Sequence, residues 1–335
     1  MEQNIKRQQQ VLVTIRCCAY NQEIYIRDCL EGFVMQNTNF RFEAIVHDDA
    51  STDGTATIIK EYAEKYPDII KPILETENQY SKHDGSLGRI MDEHTHGKYV
   101  AFCEGDDYWI DPLKLQKQVD FLESHPDYSM CWTDAYQDSN GVKTPFYRYF
   151  NSCQSPMEDI IERGGAFIPT CSIVMRKSVK DAMPPEAKGF AVGDFPLQMW
   201  CGWAGKVWYI KDQTCVYRVM AQGSWSEKQF SNPNTEKFLK LYHNDSKMME
   251  AFNKLTEYKY KGSFEKYAAT STYNQLLYAH AFHLMKPYYK LRKKYGIHTG
   301  KGETLLIFNH PHLAKILDLI YKLRNVFKPR YANSR

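Results

Sequence analysis

Apolar and polar positions along the first half of the chain switch repeatedly between two periods, and the switches predict strands alternating with helices. Val11 to Cys18 is a short β-like run. A helix follows from about Glu23 to Met35, with Ile24, Ile26, Leu30, Phe33 and Val34 as its apolar residues. A second strand, Phe42 to His47, ends in Asp48-Asp49-Ala50-Ser51-Thr52-Asp53-Gly54-Thr55 and leads into a helix carrying Ile58, Ile59, Tyr62 and Ala63. Ile69 to Leu74 reads as a third strand, and Lys98 to Cys103 as a fourth that runs into Glu104-Gly105-Asp106-Asp107. A helix is then expected at Asp111-Pro112, with Asp111 as its N-cap and Pro112 in its first turn. Strands joined through helices need crossover connections, which give an α/β fold with a mostly parallel sheet covered on both faces. Ligands of such sheets bind beyond the carboxyl ends of the strands, where both acidic turns fall.

Past Pro126 the regularity loosens. Thr170 to Arg176, Lys206 to Ile210 and Gln213 to Val219 predict further strands, and a helix opens around Asp194-Phe195-Pro196. From about Pro233 the chain turns helical, aromatic and basic, as in Lys286-Pro287-Tyr288-Tyr289-Lys290-Leu291-Arg292-Lys293-Lys294. The expected organisation is therefore an α/β domain over residues 1–230 and a helical C-terminal extension over 231–335. Within the extension, Leu313, Ile316, Leu317, Ile320, Leu323 and Phe327 recur at helical spacing with Lys315, Lys322 and Arg324 between them. Such a helix either packs on the first domain with its charges in water or lies on an anionic membrane surface.

Composition narrows the classes. The chain has 335 residues, 43% hydrophobic and 25% charged, so a real core is expected. A formal charge of +3 is too near balance for a dedicated nucleic-acid binder. No apolar run approaches the ~18 residues of a membrane span, and MEQNIKRQQQ has no apolar leader core. The expectation is a cytoplasmic protein that meets the inner membrane face, if at all, peripherally through the basic helix. Nine cysteines contain no CxxC pair and read as reduced core residues. His94-Thr95-His96 and His310-Pro311-His312 lack carboxylate or Cys partners for zinc and read as surface residues.

The acidic turns carry the candidate chemistry. Glu104 and Asp106 stand two residues apart as the strand ends, and the period of two points both side chains to one side of the sheet. One can hold a hydroxyl-bearing group while the other holds a cation. Carboxylate oxygens suit Mg²⁺ or Mn²⁺, ions that take one or two protein carboxylates and complete their shell with water and phosphate oxygens. The expected ligand is thus phosphorylated, with Asp107 as a second candidate metal ligand. Taken alone, the same run is an acidic turn capping the next helix. In the other turn, Asp49, with Asp48 beside it, could accept a hydrogen bond from the imide N–H of uracil, while Ser51, Thr52 and Asp53 serve the helix cap.

Four segments together resemble the inverting glycosyltransferases of family 2, with their GT-A fold: Ala19-Tyr20-Asn21-Gln22-Glu23, the Asp48 to Thr55 turn, the Glu104 to Trp109 run and Asp111-Pro112. The resemblance implies a nucleotide-diphosphate sugar bound across the strand ends, with Mg²⁺ or Mn²⁺ at a DxD motif that is Glu104-Gly105-Asp106 here. It further implies nucleotide contacts around Cys18, Ala19, Tyr20, Asn21 and Glu23, a base contact at Asp49, a ribose contact at Glu104, and a metal contact at Asp106 or Asp107. Family members carry an Arg- and Asn-containing segment against the diphosphate. Here Arg89 matches and Ile90 replaces the Asn. The family's base, at the start of a helix, falls on Asp194, for which an ordinary N-cap is the competing reading. Tyr217-Arg218 and Gly223-Ser224-Trp225 resemble the closing segment, with Arg218 facing the leaving phosphate and Trp225 stacking on a sugar. Met220 stands where many relatives have a metal-binding His.

The implied activity is transfer of one sugar from a UDP-linked donor to a hydroxyl of a glycan or lipid-linked saccharide, as in surface polysaccharide biosynthesis. A nucleotidyltransferase would need a Gly-rich basic loop after the first strand, which Cys17-Cys18-Ala19-Tyr20-Asn21 does not supply. A silent sugar-nucleotide or glycan binder stays open because of Met220 and Ile90.

Overall fold

The computed structural model describes residues 10–190, 193–230, 235–279 and 281–297, and the chain divides into two compact units between Ser231 and Asn232. The Leu313 to Phe327 pattern, His310 and His312 lie outside the described residues.

The first unit is built on one ten-stranded sheet. Its strands are β1 (Val11–Ala19), β2 (Arg41–Asp48), β3 (Ile70–Leu74), β4 (Tyr99–Phe102), β5 (Tyr108–Trp109), β6 (Tyr128–Ser139), β7 (Val142–Pro145), β8 (Cys153–Gln154), β9 (Ile173–Arg176) and β10 (Lys206–Arg218). The order is β3-β2-β1-β4-β9-β6-β10-β5, with β7 on β6 and β8 on β10. β3, β2, β1 and β4 run parallel, and Ala19, Asp48 and Leu74 share one register at their carboxyl ends. The other half is mixed rather than parallel. β9 is antiparallel to both β4 and β6, β10 is parallel to β6, and β5 closes antiparallel on β10. The parallel expectation therefore holds for β1 to β4, which are joined through helices, and not for β9, which runs antiparallel to both of its neighbours.

Local sequence explains most elements. Val13, Ile15 and Cys17 of β1 are wholly buried. So is Thr14, whose hydroxyl donates to Glu43 Oε1 and accepts the N–H of Gly97. The helix Ile26–Val34 buries Ile26, Cys29, Leu30 and Phe33. Its Gly32 lies on the backbone of β5, where an added Cβ would come within 2.8 Å of the Trp109 nitrogen. Asp111 does not cap the next helix: that helix is Lys114–Ser124, and Asp111 Oδ1 instead accepts the Leu113 N–H of the turn before it. Long β6 was not expected, because Tyr128 to Ser139 is buried on both faces over Ser129 to Ala135 and so shows no alternation. β10 is one strand where two were expected, its register shifting between Ile210 and Gln213 to absorb Lys211 and Asp212. Thr170–Ser172 is a 3-10 turn ahead of β9. All nine cysteines are free thiols and seven are buried. His94 and His96 are exposed.

The second unit contains the helices Thr235–Leu255, Lys261–Tyr267, Tyr273–Tyr278 and Lys286–Lys294, with a π-helical turn at Ala268–Thr272. Phe238, Tyr273, Leu276, Phe282 and Met285 form a core there. Buried Asp245 accepts hydrogen bonds from the Tyr267 hydroxyl and the Gln275 amide. Among the described residues no helix is long and apolar enough to cross a membrane.

Candidate active site

β4 ends at Phe102, and Glu104 to Asp107 is a turn closed by the Asp107 N–H on the Glu104 carbonyl at 3.0 Å. Strand alternation is therefore not what places Glu104 and Asp106. The turn is instead fixed on the end of β1: the Gly105 N–H donates to Cys18 O at 3.0 Å, and the Cys18 N–H donates to Glu104 Oε2 at 3.2 Å. Gly105 permits this approach, since a Cβ there would stand 2.4 Å from Gln22 Oε1 and 3.0 Å from the Ala19 Cβ.

The electrostatics bring a distant residue into the same site. Burial pushes the Glu104 carboxyl up to about 8, and the neighbouring charges of Asp194 and Asp106 push in the same direction. Burial also raises Asp106, against the opposing pull of Arg218. The Tyr217 phenol is raised by burial and by Asp107, Asp106 and Asp194. Glu104, Asp106, Asp194 and Tyr217 thus share one electrostatic neighbourhood at the carboxyl ends of β4 and β10. Asp194 is open to solvent yet ringed by protein, and that crowding raises its carboxyl while the Thr170 hydroxyl, donating to Oδ2 at 2.8 Å, lowers it. It is the first residue of the helix Asp194–Ala204. Gly193 holds the N-cap position and makes no side-chain cap bond, so the capping reading is not realised.

Two expected ligands have other employment. Asp107 is 3% exposed, its Oδ1 accepts the Arg218 N–H at 2.8 Å, and burial together with the neighbouring Asp106 charge raises its carboxyl. Arg218 stands over the rings of Tyr25 and Tyr108 at 4.9 and 4.4 Å. It donates to the Asp106 carbonyl at 2.7 Å and pairs with Asp28. Its guanidinium braces the acidic turn where a phosphate contact was expected.

The Asp48 to Thr55 turn is also largely self-satisfied. Asp48 Oδ2 accepts the Ser51 N–H at 3.1 Å. Asp49 accepts the N–H groups of Gln79 and Tyr80 at 2.6 and 3.0 Å. Asp53 accepts from the Glu23 and Thr55 amides. Glu23 accepts the Gly54 N–H at 2.7 Å, and Asn21 Oδ1 accepts that of Thr52 at 2.8 Å. Asn21 and Glu23, expected beside the nucleotide, are therefore the ties that hold two loops together. Asn21 takes φ 53° and Ala50 φ 61° to make that junction. Asp48 Oδ1 and Gln22 Oε1 remain buried without a protein partner among the described residues.

The Tyr20 ring faces Lys228 Nζ at 5.5 Å, and the Gln222 N–H donates to the Tyr25 hydroxyl at 3.1 Å, so the segment after Arg218 folds over this end of β1. Trp225 opens the helix Trp225–Phe230 and is 42% exposed. Met220 sits exposed in a left-handed conformation. Arg89 is exposed on the helix Ser86–Glu93 and folds back onto the Asp84 carbonyl at 2.7 Å rather than toward the acidic cluster.

Among the described residues no three Asp, Glu, His or Cys side chains form a metal cage by themselves. The donor set still fits Mg²⁺ or Mn²⁺. Asp106 offers hard carboxylate oxygens whose charge is disfavoured by burial, and a cation completed by water and diphosphate would relieve that cost. Sequence reasoning missed Thr170, Asp28 and Tyr108 as parts of this site. Their links to Asp194 and Arg218 span long stretches of chain and leave no local signal.

Comparison with known proteins agrees with the geometry. Residues 14–182 match the model of glycosyl transferase family 2, and the chain belongs to that family. It is 36% identical over 223 residues to the uncharacterized protein Rv1520 of Mycobacterium tuberculosis, covering 64% of this chain and 60% of that protein. The chain thus spans about 60% of the length of such relatives. Over 170 residues it is 33% identical to the Escherichia coli UDP-Glc:alpha-D-GlcNAc-diphosphoundecaprenol beta-1,3-glucosyltransferase WfaP, covering 51% and 61% of the two chains. Among solved structures, TarS 1-349 of S. aureus in complex with UDP-GlcNAc aligns with TM-score 0.54 at 16% identity over 85% of this chain and 88% of that one. The mannosyltransferase PcManGT of Pyrobaculum calidifontis, in complex with GDP-Man and Mn²⁺, aligns with TM-score 0.51 at 16% identity over 96% and 88%. These likenesses establish the GT-A fold.

Proposed function

We propose that the protein transfers a sugar from a UDP-linked donor to a hydroxyl of a glycan or lipid-linked saccharide, with inversion, in the assembly of a surface polysaccharide. The observation that carries this reading is the electrostatic meeting of Glu104, Asp106 and Asp194 at one end of the sheet. In the proposed step Asp194 takes the proton of the acceptor hydroxyl. The acceptor oxygen then bonds the anomeric carbon on the face opposite the nucleotide. The bond from that carbon to the phosphate oxygen breaks, and its electron pair leaves with the nucleoside diphosphate. A crowded carboxylate with a raised pKa is a stronger proton acceptor than an ordinary surface Asp. Glu104 is assigned to the ribose, the Cys18 to Tyr20 loop and Asp49 to the base, and Asp106 to the metal. Bound there, Mg²⁺ or Mn²⁺ would offset charge on the diphosphate.

The relatives support this assignment. The E. coli protein is named for a UDP-glucose donor and a diphosphoundecaprenol-linked acceptor, and the two solved structures hold UDP-GlcNAc or GDP-Man with Mn²⁺. A lipid-linked acceptor would bring the protein to the inner membrane face, where the basic Leu313 to Phe327 pattern could meet anionic lipid. The test is a panel of UDP- and GDP-sugars with Mn²⁺, with and without saccharide acceptors, read by released nucleotide. Asp194→Asn should retain donor binding and lose ~10²–10⁴-fold in turnover. Full turnover in that variant would overturn the base assignment. Pyrophosphate release would favour a nucleotidyltransferase, and silence with every donor a binding protein.

A further inference from the structure

Asp194 depends on a neighbour from another element. The Thr170 hydroxyl donates to Asp194 Oδ2 at 2.8 Å, and Thr170 opens the 3-10 turn Thr170–Ser172. That turn is held from beneath by an unusual set of buried donors. Trp109 Nε1–H donates to the Cys171 carbonyl at 2.8 Å. Gln118 Nε2 and Lys114 Nζ donate to the Ser172 carbonyl at 2.9 and 3.3 Å. Lys114 is wholly buried, donates also to Gln118 Oε1 at 2.6 Å and sits 4.5 Å over the Trp109 ring. A buried ammonium costs stability unless its protons are bonded, so its place here is explained by the turn it clamps.

From the other side, the approach to Thr170 is fastened to Asp194's own helix. Gln198 Nε2 donates to the Ile168 carbonyl at 3.0 Å, and Gly165 leaves room for Phe195, whose Cβ would stand 3.0 Å from a Cβ at 165. Two independent attachments therefore set the separation of Thr170 and Asp194.

From this geometry we infer that Thr170 is a positioning residue for Asp194, holding one carboxylate oxygen so that the other faces the acceptor hydroxyl in its charged form. The inference rests on the reading of Asp194 as the base. A hydrogen bond donated to a carboxylate favours its ionised state, against the crowding that opposes it. The other titratable groups facing Asp194 are Glu104 and Tyr217. Removing the Thr170 donor leaves both in place and shifts the balance toward the protonated acid.

The experiment uses the full chain with ¹³Cγ-labelled aspartate, Mg²⁺ and UDP, the Asp194 resonance being identified by its loss in Asp194→Asn. Thr170→Val should raise the Asp194 titration midpoint by about one unit. Thr170→Ser should restore it. In turnover of the best UDP-sugar of the panel, the acid limb of kcat should move to higher pH by the same amount, with donor KM unchanged. A midpoint that stays put in folded Thr170→Val, or a kcat lowered equally at every pH, would overturn the inference. Should Thr170→Val not fold, Thr170→Ala is read in the same way. Turnover surviving in Asp194→Asn would sink the base assignment alone, since the midpoint still reports whether Thr170 governs Asp194.

Discussion

The two acidic turns at the sheet's carboxyl edge look alike in sequence and differ in how their charges are used. In the Asp48 to Thr55 turn, Asp48, Asp49 and Asp53 each accept backbone N–H groups, and Asp53 is held below the usual Asp range because bonds from Thr55 and Glu23 outweigh burial. In the Glu104 to Asp107 turn, Glu104 and Asp107 accept one distant amide each, from Cys18 and Arg218, yet burial pushes Glu104, Asp106 and Asp107 all up, with like charge adding to it at Glu104 and Asp107. A carboxylate satisfied by amides stabilises a loop. One left crowded and under-compensated retains electrostatic energy that a cation, a ribose hydroxyl or an acceptor proton can relieve.

That contrast can be broken or sharpened by substitution. Asp106→Asn should weaken Mn²⁺-dependent UDP binding at least ~10-fold, the scale on which even outer-shell carboxylates alter metal affinity, with little change in melting temperature. Titration calorimetry with and without EDTA checks this, and equal UDP affinity in both proteins would place Asp106 with the satisfied group. Asp49→Asn should do the reverse in part: one of the Gln79 and Tyr80 amides loses its charged acceptor, at a cost of ~1.5–3 kcal/mol measured by urea unfolding. A simultaneous loss of uridine over cytidine discrimination would show that Asp49 serves both loop and base. The smallest effect is expected for Asp53→Ala, ~1 kcal/mol for the bonds it accepts from the Glu23 and Thr55 amides. Because the folded-state pKa of Asp53 is depressed, its contribution is present above the unfolded value and lost as pH falls through the folded one. The variant should therefore lose less stability than wild type on acidification below about pH 4.

Sequence patterning located β1 to β4 because each parallel strand there is a short apolar run bounded by turn residues. It could not locate β6, whose Asp134 and Thr133 are buried amid apolar neighbours, nor join the halves of β10 across a bulge. At the site, the residues with unspent charge, Glu104, Asp106 and Asp194, were legible as motifs. Their supports were not. Nothing near Arg218 signals that its N–H belongs to Asp107 and its guanidinium to Asp28, and nothing near Thr170 signals Asp194. Roles set by hydrogen bonds between distant segments are decided by tertiary closure, which local propensity does not encode.

Gly32 gives that closure a mechanical reading. Its bare Cα lets the first helix rest directly on the Trp109 main chain, the Trp109 indole grips the Cys171 carbonyl, and the neighbouring Thr170 grips Asp194. The proposed proton acceptor is thus registered, link by link, to a steric clearance smaller than one methyl group on the helix that also carries Asp28, the partner of Arg218.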